Sequence, residues 1–471
     1  MSSKDSSGDK DSNDSTYRDL YVSPDKIYPR QVNGLFAKLR IYTVILLLGL
    51  YYVFPWVLWN GEQAILLDLP ARQFRYFGVT FWPQDFIYLT LLLIIAAVGL
   101  FLFTTIAGRV WCGYACPQTV WTETFLWIEE FVEGNRNKRI KLDKSPWNFN
   151  KITRKTTKHF LWITFALFTG YTFVGYFSPI RELGTGIVEF TLGPWEWFWV
   201  LFYSLATYGN AGWLREQVCL HMCPYARFQS SMFDKDTLIV SYDKNRGESR
   251  GKRKKNSDYQ LKGLGDCIDC EQCVQVCPTG IDIREGLQYE CIACAACIDV
   301  CDNVMDKMGY DQGLIKYTTE VEEKSNGKEK TKFLRARTIY YSSIFIIVIC
   351  AFIYLISNRV PLDINVIRDR NNLYTETFSG EIENTYTLKI LNMSQESQDF
   401  QLSATGFNSI EIVGKQQFTI DSGEVYVLPI RLRVSAGELP ERSNNIQFVL
   451  QALNGDKQKA TSNAKFLGPK K

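Results

Sequence analysis

The feature that constrains this chain most is the spacing of eight of its thirteen cysteines: Cys267, Cys270, Cys273 and Cys277-Pro278, then Cys291, Cys294, Cys297 and Cys301. Three thiolates separated by two residues wrap three corners of an iron-sulfur cube, and the fourth cysteine of each run is placed to reach across to the other cube. The pattern assigns Cys267, Cys270, Cys273 and Cys301 to one [4Fe-4S] cluster, and Cys291, Cys294, Cys297 and Cys277 to a second. A zinc finger needs ligand pairs separated by a longer loop, and these triplets overcrowd a four-coordinate ion. Ile268, Val274, Val276, Ile281, Ile283, Ile292, Ile298 and Val300 interleave with the thiols. They read as ordinary core that also keeps water off the cubes, one of the levers on reduction potential. Cys301 is followed by Asp302 instead of proline, which leaves the local turn open. Such a chain moves electrons.

The mildly negative mean hydropathy hides strong segregation of apolar and polar blocks. Five windows are apolar over about 17 to 21 residues, the length that crosses a hydrocarbon core as a helix. They are Leu39 to Trp59, Phe86 to Ile106, Phe160 to Phe177, Trp195 to Trp213 and Ile339 to Ser357. Basic residues cluster before the first window, between the second and third, and before the fifth, whereas the loop between the third and fourth carries only Arg181. Positive loops stay in the cytoplasm, so all five spans thread with the N-terminus and clusters inside and the C-terminus outside. An interior iron-sulfur domain suits a reducing compartment. The first 38 residues are polar and rich in serine and aspartate; they read as a disordered cytoplasmic tail and not as a cleavable signal peptide. Trp195, Trp197 and Trp199 read as an outer interfacial belt.

A helical hairpin followed by Cys-x3-Cys-Pro occurs twice, as Trp111-Cys112-Gly113-Tyr114-Ala115-Cys116-Pro117 and Cys219-Leu220-His221-Met222-Cys223-Pro224. Proline fits the first position of a helix and not its interior, so Cys116 and Cys223 are expected as helix N-caps. There the free N-H groups and the helix dipole favour thiolate over thiol. Cys112, Cys116, Cys219 and Cys223 are candidates for one soft metal or redox site, with His221 and Met222 as candidate further ligands. Cu(I), zinc or another cluster suits such donors. A thiol-disulfide couple and purely structural thiols remain open beside the metal. His159 and His221 are the only histidines, and both sit near span ends, which argues against a haem held by two histidines within the membrane. Cys350, alone in the fifth span, reads as a small hydrophobe.

The segment Thr119 to Phe131 mixes tryptophan and phenylalanine with Glu123, Glu129 and Glu130, the composition of a helix lying on a membrane surface. The glycine-broken basic stretch Arg246 to Lys255 reads as a linker along the anionic inner leaflet. No aromatic residues interleave with its charges, so no nucleic-acid partner is expected. Beyond the fifth span, alternating segments Thr385 to Leu391, Phe400 to Ala404, Ile410 to Val413, Gln417 to Ile420, Val425 to Val434 and Asn445 to Ala452 predict a β-sandwich. It has no cysteine, histidine or clustered acids, so docking or spacing is its default role.

The fold class that follows is a multidomain membrane protein: a five-span α-helical bundle, an inserted cytoplasmic two-cluster ferredoxin-like α+β domain, and a C-terminal all-β immunoglobulin-like sandwich. The expected boundaries are a tail at 1–38, four spans at 39–233, the cluster domain at 234–337, the fifth span at 338–358 and the sandwich at 359–471.

The order of these parts, with Tyr242-Asp243-x2-Arg246-Gly247-Glu248-x-Arg250-Gly251 between the second Cys-x3-Cys-Pro and the cluster runs, resembles the FixG/RdxA/CcoG accessory proteins of cytochrome c oxidase. The resemblance covers nearly all of the chain past the tail. It implies a polyferredoxin-like protein of the bacterial inner membrane that matures a cbb3-type oxidase. The implied activity is that of a cupric reductase, giving Cu(I) at Cys112, Cys116, Cys219 and Cys223 by electrons from two [4Fe-4S] clusters. The implied partners are oxidase subunits and copper-handling proteins. Two other readings stand beside it: a quinol-oxidising electron-transfer subunit resembling the NapH type, and a non-redox assembly scaffold. No Gly-x-Gly-x2-Gly fingerprint of a flavin or nicotinamide site appears, so an unnamed partner must supply electrons. A homodimer is left open.

Overall fold

The computed structural model describes residues 26–469, apart from 256, 257, 326, 327, 371, 395 and 454–457. The first part of the expected disordered tail, residues 1–25, therefore lies outside the described residues. The chain divides into two compact units: Met1–Leu47 with Thr104–Thr164 and Thr207–Phe333, and Leu48–Phe103 with Phe165–Ala206 and Leu334–Lys471.

Three helical stretches, Leu35–Trp56, Pro83–Ala107 and Ala336–Ser357, are long and apolar enough to cross a membrane. The first helix, Leu35–Val53, starts before its expected window and gives way at Pro55 to one tight turn. Proline lacks the N-H that would continue the ladder. The expected third span is the second half of a longer helix, Phe149–Val174, whose basic first half continues the same helix. The expected fourth begins as the α-helix Pro194–Thr207 and widens into π-turns over Tyr208–Leu214. The loop between the first two windows, for which no structure was expected, forms an antiparallel sheet of Ile65–Asp68, Gln73–Tyr76 and Val79–Phe81.

In the second unit the C-terminal residues form the predicted sandwich. One sheet orders Glu411–Val413, Val425–Ser435, Glu381–Asn392 and Leu362–Arg368, with Thr375–Glu376 also on Glu381–Asn392. The other orders Gln417–Ile420, Gln398–Thr405, Ser443–Ala452 and Lys459–Leu467. Along Glu381–Asn392, Ile382, Tyr386, Leu388 and Ile390 are fully buried, and they meet Phe400, Leu402, Phe448, Leu450 and Phe466 of the opposite sheet. Each such side chain contributes about 1.5–3 kcal/mol by leaving water. Asn384 fastens the sheets by donating to the Leu467 carbonyl at 2.7 Å and accepting from its N-H at 3.1 Å. Leu362–Arg368 and Lys459–Leu467 were missed from sequence because the first follows the apolar helix directly and the second is mostly polar, with only Phe466 fully buried.

The first unit holds little regular structure besides its helices. One two-stranded ribbon, Ile239–Tyr242 with Ile315–Thr318, backs the cysteine loops. The basic stretch Arg246 to Lys255 is not a free linker. Asp243 caps the turn Lys244–Gly247, Arg246 reaches Asp266 at 2.5 Å, and Arg253 lies over Tyr259 and Tyr310 while donating to the Gly265 carbonyl. A Cβ at Gly247 would meet the Tyr242 hydroxyl at 2.1 Å, which accounts for glycine in that motif.

Candidate functional site

The two cysteine runs fold into matched loops. Cys267, Cys270, Cys273 and Cys301 line one cavity together with Ile268, Val300, Val304, Met305, Leu314 and Ile315. Cys277, Cys291, Cys294 and Cys297 line a second with Val240, Ile281, Ile283 and Ile292, and Cys273 borders it too. The fourth cysteine of each run thus reaches the other run's cavity. Residues on both sides of the middle cysteine are left-handed without being glycine: Asp269 and Glu271 at φ 52° and 55°, Ala293 and Ala295 at φ 52° and 58°. Alternating right- and left-handed residues turn successive N-H groups inward into an anion-binding concavity, and such strain persists where the surroundings repay it. After Cys277, Pro278 ends the helix Gln272–Val276, whereas Asp302 lets Ala296–Met308 run on through Cys301. That settles the turn left open by the missing proline.

Burial pushes the Cys273 and Cys291 thiols up to about 12 and raises that of Cys297 well above its ordinary value. Only a cation would draw their protons off, as metal binding does. Among the described residues no three His, Cys, Asp or Glu side chains gather around a point fit for a single ion. Dry, four-thiol cavities lined by inward N-H groups fit a body larger than one ion, an iron-sulfur cube.

The Cys-x3-Cys-Pro motifs place Cys116 and Cys223 as N-caps of Pro117–Glu133 and Pro224–Ser231, each with proline at the first turn, as expected. Cys112 lies in the short helix Val110–Tyr114 and Cys219 in the wide turn Val218–Met222. All four are half-buried, whereas His221 and Met222 are exposed. At Cys116 the expected preference for thiolate is overturned. Burial raises Cys116 despite the N-H groups of Thr119 and Gln118, and it lifts Cys112 to about 11 and Cys219 to about 12. Cys116, Cys112 and Cys223 push Cys219 up further, so the four thiols are mutual electrostatic neighbours.

The helix Pro117–Glu133 does not lie on a surface with its acids in water. Glu129 and Glu133 are fully buried, and Glu129 meets Arg215 at 2.7 Å, Lys158 and Arg139 at 3.5 Å and Lys26 at 3.8 Å. Burial pushes the Glu129 carboxyl up, but these cations outweigh it and hold the group at about 2. Glu133 meets Lys155 and Lys158, both at 2.9 Å. Lys155 and Lys158, in the basic half of Phe149–Val174, point into this network. Gln118 donates to the carbonyls of Asn210 at 2.8 Å and Arg215 at 3.0 Å, which fixes the segment leading to Cys219. His159 joins its Nδ1 to the Tyr208 hydroxyl at 2.9 Å, so it is part of this packing.

The two sets of cysteines touch through backbone. A Cβ on Gly113 would meet the Ile292 carbonyl oxygen at 2.7 Å and the Cys294 Cα at 2.9 Å. The glycine beside Cys112 therefore lets that chain lie directly against the loop of the second cavity. Tyr317 donates to the Ala293 carbonyl at 2.6 Å, and Tyr114 to that of Cys294 at 3.4 Å. The described end of the expected tail is also bound here. Lys26 and Tyr28 reach Asp143, and the Arg30 N-H donates to the Gln275 carbonyl. Asp299 of the cysteine helix caps the first apolar helix by accepting from the N-H groups of Phe36 at 3.2 Å and Ala37 at 2.7 Å. A Cβ at Gly34 would meet the Asp299 carboxylate at 2.3 Å. Sequence reasoning missed Gly113, Asp299 and the Glu129 network; the one available signal was glycine within the Cys-x3-Cys-Pro motif and before the first helix.

Residues 214–320 match the family model of a 4Fe-4S dicluster domain, 89–139 that of a 4Fe-4S binding domain, and 352–469 that of the Ig-like fold at the C-terminal of FixG. Protein RdxB of Cereibacter sphaeroides is 41% identical over 82% of this chain and 83% of its own length. The chain belongs to the FixG/RdxA family. Nitrogen fixation protein FixG of Rhizobium meliloti is 36% identical over 87% of this chain and 84% of its own, and Protein RdxA of Cereibacter sphaeroides 40% over 82% and 84%. A solved FixG-related protein from Vibrio parahaemolyticus is 36% identical over 23% of this chain and 95% of its own, with a TM-score of 0.21. Like its family, the chain is an iron-sulfur electron-transfer protein of membrane-associated type.

Proposed function

We propose that this protein passes single electrons from two [4Fe-4S] clusters to Cys112, Cys116, Cys219 and Cys223, where the substrate Cu(II) becomes Cu(I) for assembly of a cbb3-type cytochrome c oxidase. Cys267, Cys270, Cys273 and Cys301 would hold one cluster, and Cys277, Cys291, Cys294 and Cys297 the other. The observation that carries this reading is the close approach at Gly113, which leaves one residue between Cys112 and the backbone of the second cavity. The clusters supply one electron at a time at low potential. Cys112 and its three neighbours bind the soft product ion, since thiolates favour Cu(I) over Cu(II), and burial raises the Cys112, Cys116 and Cys219 thiols so that binding the ion displaces their protons. Tyr114 and Tyr317 hold the cysteine loop in place, and Ile292 excludes water between the two sites.

The proposed topology has five spans, with the N-terminus and clusters cytoplasmic and the sandwich outside as a docking surface for an oxidase subunit. The apolar second half of Phe149–Val174 and the stretch Pro194–Leu214 supply the third and fourth spans. A second reading, quinol oxidation, draws on one feature. A small open cavity lies between Cys219 and Cys294 and is bordered by Leu126 and Ile292 and by Arg40, Gln118, Glu123 and Glu216.

The test is anaerobic purification with iron and sulfide analysis, then addition of Cu(II) and a Cu(I)-specific chromophore to reduced, desalted protein. Cu(I) formation by wild type, lost in Cys112→Ser/Cys223→Ser at unchanged iron content, supports reduction at these thiols. Equal rates in both would sink it, and reduction of the clusters by a short-chain quinol would favour the second reading.

A further inference from the structure

Arg109 is 4% exposed, yet among the described residues no carboxylate pairs with it. Its hydrogen bonds all go to neutral acceptors: Nε to Gln229 Oε1 at 3.1 Å, and one terminal nitrogen to the carbonyls of Tyr289 and, at 3.4 Å, Cys291. A buried guanidinium without a counter-ion is strongly unfavourable unless an anion compensates it. Two other buried arginines near the cysteine motifs do have one. Arg215 has Glu129 at 2.7 Å, and Arg284 has Asp269 at 2.7 Å.

The groups on either side of Arg109 are those that become anionic. On one side it grips the backbone of Cys291, on the rim of the second cavity. On the other, Gln229 Oε1 also accepts from Cys112 Sγ at 3.1 Å, so guanidinium and thiol share one acceptor. Gln229 is fully buried, and its Nε2 donates to Thr104 at 3.5 Å, which fixes its orientation. The Arg109 carbonyl accepts from the Cys112 N-H at 2.9 Å, so this arginine is built into the turn that presents the first Cys-x3-Cys-Pro. An iron-sulfur cube with four thiolates is a net anion, more so when reduced, and nearby charge is one of the levers on its potential. Arginine suits the position because its planar fork reaches separate acceptors and keeps its charge when buried.

We propose that Arg109 is a positioning residue that supplies the counter-charge shared by the two redox centres. It stabilises the reduced cluster of Cys277, Cys291, Cys294 and Cys297. The inference rests on the ligand reading above.

The test is a potentiometric titration of the full-length protein followed by EPR, on wild type, Arg109→Gln, Arg109→Lys and Gln229→Glu, each with iron and spin quantitation. In Arg109→Gln one of the two one-electron waves moves to lower potential, and the other stays. A Coulomb interaction at an effective dielectric near 20 predicts about a tenfold change in the ratio of reduced to oxidised cluster, equivalent to about 59 mV. Arg109→Lys keeps most of the wild-type potential. Gln229→Glu sets a carboxylate against the guanidinium without removing it, and lowers the same wave. Both waves unmoved in Arg109→Gln and Gln229→Glu, or a Lys shift as large as the Gln shift, overturns the proposal. If Arg109→Gln loses iron, Gln229→Glu decides alone. A wild-type protein with fewer than two clusters overturns the ligand reading instead, which the iron and spin counts separate from a failure of the counter-charge.

Discussion

In the C-terminal sandwich, two sheets bury one another's Tyr386, Phe400, Phe448 and Phe466, and no sulfur bond or cofactor is needed to complete the core. In the cysteine domain the core cluster itself contains Cys267 and Cys273, with Cys270, Cys297 and Cys301 packed against it, and the regular structure amounts to short helices and one ribbon. Both regions hide side chains from water, but the second does so with groups that only a metal cation can charge. The sandwich should hold its shape by hydrophobic burial alone, while the cysteine domain should depend on what its thiols bind.

The largest effect expected from this contrast comes from removing iron. An anaerobic chelator should unfold the cysteine domain while leaving the sandwich intact, as followed by hydrogen exchange across both. Equal protection loss in the two would erase the distinction. Next in size, Glu129→Gln leaves Arg215, Lys158 and Arg139 facing a neutral partner, which should cost about 3–5 kcal/mol in the first unit and nothing in the sandwich. The Glu129 carboxyl is depressed in the folded state, so its stabilisation is present above its ordinary value of 4.5 and is lost as pH falls towards about 2. The stability gap between wild type and variant should close across that window.

Leu450→Ala should cost about 2–5 kcal/mol, confined to the sandwich, with iron content and Cu(II) reduction unchanged. A drop in iron would join the two regions into one cooperative unit. Gly113→Ala should cost about 1–3 kcal/mol by forcing the Ile292 to Cys294 backbone away, and it should slow electron delivery to the thiols while both clusters remain. Smallest of all, Cys350→Ala changes an exposed residue of Ala336–Ser357 and should shift stability by under about 0.5 kcal/mol. A loss of activity there would mean the thirteenth thiol has a role.

Much of the sandwich was legible because its buried residues alternate along each strand, a period visible in Thr385 to Leu391 or Val425 to Val434. Even Pro429 is accommodated there, since Glu411–Val413 pairs only with residues 431–433 on that side of its strand. The loop of residues 60–85 was not legible, because its strands are two to four residues long and carry no period. Around the cysteines, the positions of Cys116 and Cys223 as caps followed from proline chemistry alone. The charge state of Cys116 did not, because a cap favours thiolate only while water also reaches the sulfur, and burial of this group was decided by the surrounding helices.

The sequence by itself determined which residues are chemically special. Cysteine spacing is local, and the reach of a thiol from a short loop leaves few choices of partner, so the two sets of four, the repeated Cys-x3-Cys-Pro and the long apolar helices stand out along the chain. Only the tertiary structure decided which cysteine set lies against which, that Gly113 is the point of contact, that Glu129 and Glu133 face inward, and that Arg109 is buried with no carboxylate partner among the described residues. Those facts depend on residues far apart in the chain meeting in space, 86 positions for Glu129 and Arg215 and 120 for Arg109 and Gln229, and no short-range pattern of polarity encodes such a meeting.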